Sequence, residues 1–293
     1  MQKIWFVLAL MVLFSLVSTA GSFASHEGAK PPRKAVLLVA FGTSVPEAQK
    51  AFDQIGKQAG KAFPGVEIRW AYTSSMIRAK LARQGKILDS PETALARLMD
   101  EGYTHVAVLS LHVIPGLEFH DLYTNAMLFG NMSGGFEKIV VARPLLDSRS
   151  DMERVAKALL KRIPAGRKAD DAVLFMGHGS EKHPADAMYA AMNYVFQGMS
   201  SNVHVGTVSG YPSLDDLLPG LLDAKIKKAW LIPFMTVAGD HARNDMAGDD
   251  PDSWKSVLAK KGIRSEAVLT GMAEYPEIVE IWLDHLRDAF ARL

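Results

Sequence analysis

Eight short runs rich in β-branched and aliphatic residues recur along the chain, separated by longer stretches whose apolar residues return every three or four positions. That alternation commits the chain to βαβ units and parallel pairing, because strands separated by helices are joined by crossovers rather than hairpins. The runs are AVLLVAF (35–41), VEIRWAY (66–72), HVAVLSL (105–111), KIVVA (138–142), AVLFMG (172–177), VHVGT (203–207), KAWLIPF (228–234) and EAVLT (266–270). The spacing predicts helices over 46–62, 91–101, 150–162, 184–198, 213–223 and 276–291. Two sets of four strands imply an α/β fold of two similar domains, 33–155 and 156–293. Each is expected to hold a central parallel sheet flanked by helices and buried on both faces, with a cleft between the two.

The halves also repeat each other. Shifted by 137 residues, AVLLVAFGTS (35–44) lies on AVLFMGHGSE (172–181), and Phe41 gives way to His178. Shifted by 123, VAVLSLHVIPGLEFH (106–120) lies on AWLIPFMTVAGDHAR (229–243), so that Gly116 matches Gly239 and Glu118 matches His241. A duplicated α/β unit accounts for both matches; chance likeness between two βα units is the alternative.

Ahead of the first strand stand Lys3, a run from Ile4 to Val17 that is apolar but for Ser15, and the small-x-small sequence Ser22-Phe23-Ala24. This is the pattern of a secretory leader over residues 1–24, too short for a spanning helix. It predicts a periplasmic protein that is free of the membrane once the leader is cleaved. The chain has 33 Lys and Arg against 32 Asp and Glu, and the leader removes only Lys3, so the remainder is neutral. Neutrality argues against nucleic-acid binding, which needs a surplus of phosphate-neutralising charge. There is no cysteine, so disulfides and thiolate metal sites are excluded. Any metal falls to His, Asp, Glu or Met.

In parallel α/β sheets, ligands bind beyond the carboxyl ends of the strands. His178 follows a strand directly, between two glycines in MGHGS. His241 follows KAWLIPF by a short loop. If the halves are related by an approximate dyad, the two face each other across the cleft, where two neutral imidazoles bind a first-row divalent ion and leave positions open. A histidine capping a turn is the bland reading of each. Glu118 in SLHVIPGLEFHDLY offers a carboxylate to the same cleft; His112 belongs to its wall and His120 to an exposed helix start. A nucleotide fingerprint, a Walker lysine, a G-x-S-x-G elbow and an HExxH helix are all missing from the sequence, which removes the nucleotide, serine-hydrolase and zinc-protease classes.

AFGTS, SLHVIPGLEF, GHGS, GTVSGYPSLDDLLP and PFMTVAGDHARNDMAGDD, in that order, resemble the sirohydrochlorin cobaltochelatases of the anaerobic pathway, relatives of ferrochelatase. The resemblance implies two α/β domains around a tetrapyrrole cleft. It implies a lyase forming nitrogen–metal bonds, with cobalt(II) or iron(II) as the substrate ion. The family's motif histidines fall on His178 and His241, with His178 as base and ligand and His241 as second ligand. The family's third ligand, a Glu in a GTVEGYP-like stretch, is replaced by Ser209, so that Glu118, Asp240 or water would complete the site. The substrate's carboxylates need cationic neighbours, and Arg78, Lys80, Arg83, Lys182 and Arg243 are the candidates. Exported relatives are associated with haem and with homo-oligomers, which makes His120 a candidate axial ligand. Ser209 and the leader also fit a second function: periplasmic carriage of metal or haem without insertion.

Overall fold

Val36, Leu38 and Ala40 point to one side of the first strand and Ala35, Leu37 and Val39 to the other, and all six are buried. Such a strand is at home only in the middle of a sheet covered on both faces. The computed structural model describes residues 32–180 and 182–293; the expected leader lies outside the described residues. The first sheet contains β1 (Lys34–Ala40), β2 (Glu67–Tyr72), β3 (His105–Ser110) and β4 (Lys138–Val141), in the order β2-β1-β3-β4. The second contains β5 (Ala172–Gly177), β6 (Val203–Thr207), β7 (Lys228–Pro233) and β8 (Arg264–Ala267), in the order β6-β5-β7-β8. All pairings in both sheets are parallel.

The sequence repeat is reproduced in the register. Leu37 pairs with Val108 between β1 and β3, and Leu174 pairs with Leu231 between β5 and β7. These are the same two positions under the shifts of 137 and 123.

One outer layer, α3 (Pro91–Asp100) and α4 (Leu117–Asn131), covers the first sheet, and another, α7 (Leu214–Asp223) and α8 (Trp254–Lys260), covers the second. Between the sheets, α1 (Pro46–Ala62), α5 (Arg149–Leu160), α6 (Ala187–Gln197) and α9 (Pro276–Phe290) share one continuous core. A further short helix, α2 (Ser75–Ala82), follows β2. Among the described residues, no helix is long and apolar enough to cross a membrane.

Three expectations change. Burial on both faces holds for the central strands, whereas β2 and β8 are largely half-buried or exposed edges. The last strand covers Arg264–Ala267 rather than 266–270, because its pairing begins where Arg264 N–H meets the Lys227 carbonyl at 3.0 Å. The helix expected over 184–198 opens as a 3₁₀ turn, Pro184–Asp186, before α6. The division expected at residues 155 and 156 falls inside α5.

The helix α9 packs against β3, β4 and α5, on the first sheet rather than the second. It buries Ile278, Val279, Ile281, Trp282, Leu283 and Leu286, each stabilising by roughly 1.5–3 kcal/mol relative to exposure. Amid them His285 is 1% exposed. Its Nδ1 lies 3.2 Å from the Arg143 carbonyl and its Nε2 3.2 Å from Asp151 Oδ1 on α5. Burial pushes the Asp151 carboxyl up, but the hydrogen bond from Ser148, the His285 ring beside it and the Arg143 charge outweigh it and hold the group below its ordinary range.

A carboxyl depressed in the folded state stabilises the fold above its unfolded pKa, near 3.9, and ceases to do so as pH falls through the folded value. Asp151→Ala is expected to cost about 3 kcal/mol at pH 7, at the low end for a broken buried pair because Arg143 stays partly in solvent. In urea titrations run against pH, that difference should narrow below about pH 4; an equal difference at pH 2 would mean that the ionised pair is not its source.

Candidate active site

Each chain half leaves its first strand for one neighbour and comes back to the other, which opens a crevice at the carboxyl edge of the sheet. The loops after β1, β3, β5 and β7 meet there around one cavity of about 470 Å³. Phe41 and Gly42 come from the first loop, His112, Val113, Ile114 and Gly116 to Glu118 from the second, His178 to Ser180 from the third, and Met235, Thr236, Val237, Gly239 and His241 from the fourth. Thr236 Oγ1 donates to the Leu111 carbonyl at 2.7 Å, tying the second loop to the fourth.

The backbone after β5 fixes His178. Gly179 takes a φ of +80°, and a Cβ there would stand 1.9 Å from the Ser209 carbonyl oxygen. Only glycine fits a left-handed position so close to another chain segment. The segment is the loop after β6, whose Val208 and Ser209 N–H groups donate to the Gly177 and His178 carbonyls at 3.0 and 2.9 Å. Its far end is fixed as well: Thr207 N–H and Oγ1 both donate to the Pro212 carbonyl, at 2.7 and 3.0 Å, and Ser213 and Asp216 form a capping box at the start of α7. His178 itself is exposed to the cavity.

His241 stands at the start of a π-helical turn, Ala242–Met246. Its Nδ1 lies 2.7 Å from Asp245 Oδ2, four residues on. A carboxylate only accepts, so Nδ1 carries the proton. His178 Nδ1 lies 2.8 Å from the Gly179 carbonyl, and the same reasoning applies. With the proton on Nδ1, an uncharged ring in either position keeps its lone pair on Nε2. The two ring centroids are 4.8 Å apart, with the planes at 85°. A carboxylate behind a ligating imidazole is the usual device for fixing tautomer and orientation.

On the other side, His112 Nε2 lies 3.2 Å from Glu118 Oε2, and His112 Nδ1 lies 2.8 Å from Ser110 Oγ. Glu118 is thus engaged by a histidine of the cavity wall. Burial, with the Asp186 charge nearby, pushes the Tyr189 phenol well above its ordinary range, so Tyr189 meets the cavity as a neutral hydroxyl. Much of the rest is apolar: Phe41, Phe52, Val113, Ile114, Phe119, Phe234 and Val237.

Of the residues expected from sequence, His178, His241, Ser209, Glu118, Lys182 and the wall residue His112 line this cavity, and the others lie elsewhere. The Arg78 guanidinium donates to the carbonyls of Tyr72 and Thr73, which occupies it with the backbone at the end of β2. Lys80 and Arg83 are exposed on and just after α2. Arg243 Nη2 lies 3.9 Å from Glu47 Oε2, with Nε buried and unpartnered. Asp240 accepts from Asn244 at 3.0 Å. His120 is exposed in the first turn of α4, with Nδ1 2.9 Å from the Gly116 carbonyl and its ring 5.0 Å from that of His183. Among the described residues, no three His, Asp or Glu side chains converge as a metal-binding cluster. Asp245 was not anticipated, although its spacing from His241 by one helical turn was readable.

The fold is that of the chelatases. SirB from Bacillus subtilis, in a structure with Fe3+, matches with a TM-score of 0.63 at 16% identity, over 89% of this chain and 96% of that one. Residues 34–291 match the family described as Cobalt chelatase (CbiK), and the chain belongs to that family. The sirohydrochlorin cobaltochelatase CbiKC of Nitratidesulfovibrio vulgaris is 45% identical over 261 residues, 89% of this chain and 92% of that protein. The sirohydrochlorin cobaltochelatase of Salmonella typhimurium is 36% identical over 259 residues, 88% of this chain and 96% of that protein.

Asp245→Ala frees the His241 ring to rotate and to change tautomer. Cobalt(II) titration of the metal-free protein should show affinity lowered roughly 10- to 100-fold; unchanged affinity would remove His241 from the ligand set.

Proposed function

We propose that this protein is a sirohydrochlorin cobaltochelatase, in which His178 and His241 present the metal ion to the macrocycle. The observation that carries the reading is the pair of near-perpendicular imidazoles in the cavity, each with Nδ1 engaged and Nε2 left to donate. Insertion exchanges a divalent cation for two pyrrole N–H protons, so four nitrogen–metal bonds form and two protons leave. A histidine cannot hold the ion and a proton on the same lone pair. As the ion passes to the pyrrole nitrogens, the Nε2 of His178 becomes free and accepts one of the two protons, the other passing to water; imidazole is suited to general-base work of this kind. The apolar walls suit the macrocycle faces, and Lys182 at the cavity suits a peripheral carboxylate. Iron(II) is the other ion that this nitrogen pair accepts.

The test is optical. Under anaerobic conditions, with cobalt(II) and sirohydrochlorin, the protein should accelerate the absorption change of insertion over a protein-free control. His178→Ala and His241→Ala should each lower kcat by at least about 100-fold, since general-base catalysis alone contributes 10²–10⁴. Full activity in either variant rejects its assignment.

Ser209 favours a second reading, metal or haem carriage without insertion, because a hydroxyl brings no charge to the cation. Saturable binding without turnover selects it. Haem itself would sit on the exposed His120, whose Nδ1 is engaged with the Gly116 carbonyl so that the Nε2 lone pair is the one left to bind. A Soret band that vanishes in His120→Ala supports this, and an unchanged band rejects it.

A further inference from the structure

Asp186 stands at the N-terminal boundary of α6 yet accepts no hydrogen bond as a cap of that helix. Its carboxylate turns towards the active site instead. Oδ2 accepts from the Ser180 N–H at 3.0 Å and from the Tyr211 N–H at 3.1 Å. The first amide belongs to the turn that carries His178, the second to the loop that carries Ser209. Asp186 is 7% exposed, and its Oδ1 is buried without a hydrogen-bond partner among the described residues. A half-paired buried carboxylate is unfavourable for folding, and an ordinary helix cap does not need one. The chain also makes room for it: Gly210 takes a φ of +121°, and a Cβ there would stand 1.9 Å from Oδ2 and 2.9 Å from the Ser180 nitrogen.

We propose that Asp186 is a positioning residue for metal binding, clamping the His178 turn to the Ser209 loop and placing a fixed negative charge behind them. With serine at 209, two imidazoles and, among the described residues, no converging carboxylate cluster meet the cation. Its charge is balanced from behind the ligands, by Asp245 through His241 and by Asp186 through the two amides. Charge-assisted acceptance from backbone N–H groups is stronger than acceptance by a neutral amide, so the carboxylate holds both loops more firmly than an isosteric asparagine would. The inference rests on His178 and His241 as ligands.

The experiment is cobalt(II) titration of the metal-free protein, followed by insertion kinetics, on wild type, Asp186→Asn and Gly210→Ala. Asparagine keeps the shape and removes the charge; the alanine methyl displaces the same carboxylate from the loop side. Variants with a native near-UV spectrum should bind cobalt(II) about tenfold more weakly, with kcat lowered and KM for sirohydrochlorin unchanged. A purely structural role would lower the melting temperature and leave cobalt(II) affinity at 20 °C where it was. Wild-type affinity in either folded variant, or an effect confined to KM, overturns the proposal. If wild type binds no cobalt(II) that His178→Ala abolishes, the histidine reading fails and this inference falls with it.

Discussion

Parallel pairing is the constraint from which the cleft follows. A parallel strand must be reached by a crossover, so every strand of a sheet points the same way and every following loop leaves from the same edge. The order 2-1-3-4 then separates the loops after the first and third strands, and the same order in the second sheet does it again. Four loops, two from each half, surround one cavity. Neither half alone contains the site: His178 and His241 come from the second, whereas Phe41, His112 and Glu118 come from the first.

Within that frame, chemistry is assigned by what each histidine faces on its Nδ1 side. A backbone carbonyl and a carboxylate are both pure acceptors, and each holds its ring in the tautomer with the proton on Nδ1 and the lone pair on Nε2. His112, by contrast, faces a serine hydroxyl on one side and Glu118 on the other, and both of its nitrogens are engaged. Three histidines line one cavity, and the hydrogen bonds separate the two with a free lone pair from the one without.

The central strands were legible because their apolar runs are bounded by polar turns, and β5 and β6 were read to the residue. The edge strand β8 was misplaced by two residues, since RSEA has no apolar signature and its position is set by pairing with β7. The helices α2 and α8 were not read, and of α4 only the start near His120 was. The α4 segment LEFHDLYTNAMLFGN carries apolar residues around much of its circumference, which blurs the spacing of three and four beyond that start. At the site, His178 and His241 stood out because each follows a strand and the two halves repeat. Arg78 and Arg83 were proposed from charge alone, and charge does not say where a long side chain ends: Arg78 lies on two backbone carbonyls. Asp186 gave no signal, because its role depends on two loops that the fold brings together from opposite sides of α6.

The position of α9 bears on how the molecule is made. This helix completes the inner layer over β3 and β4, strands that leave the ribosome long before it does. Through synthesis of the whole second half, the first sheet keeps part of its apolar face open, and the Asp151 carboxylate waits for His285. The half that appears first is therefore finished last. Shortening the chain by its last fifteen residues would injure the sheet most remote from them in sequence.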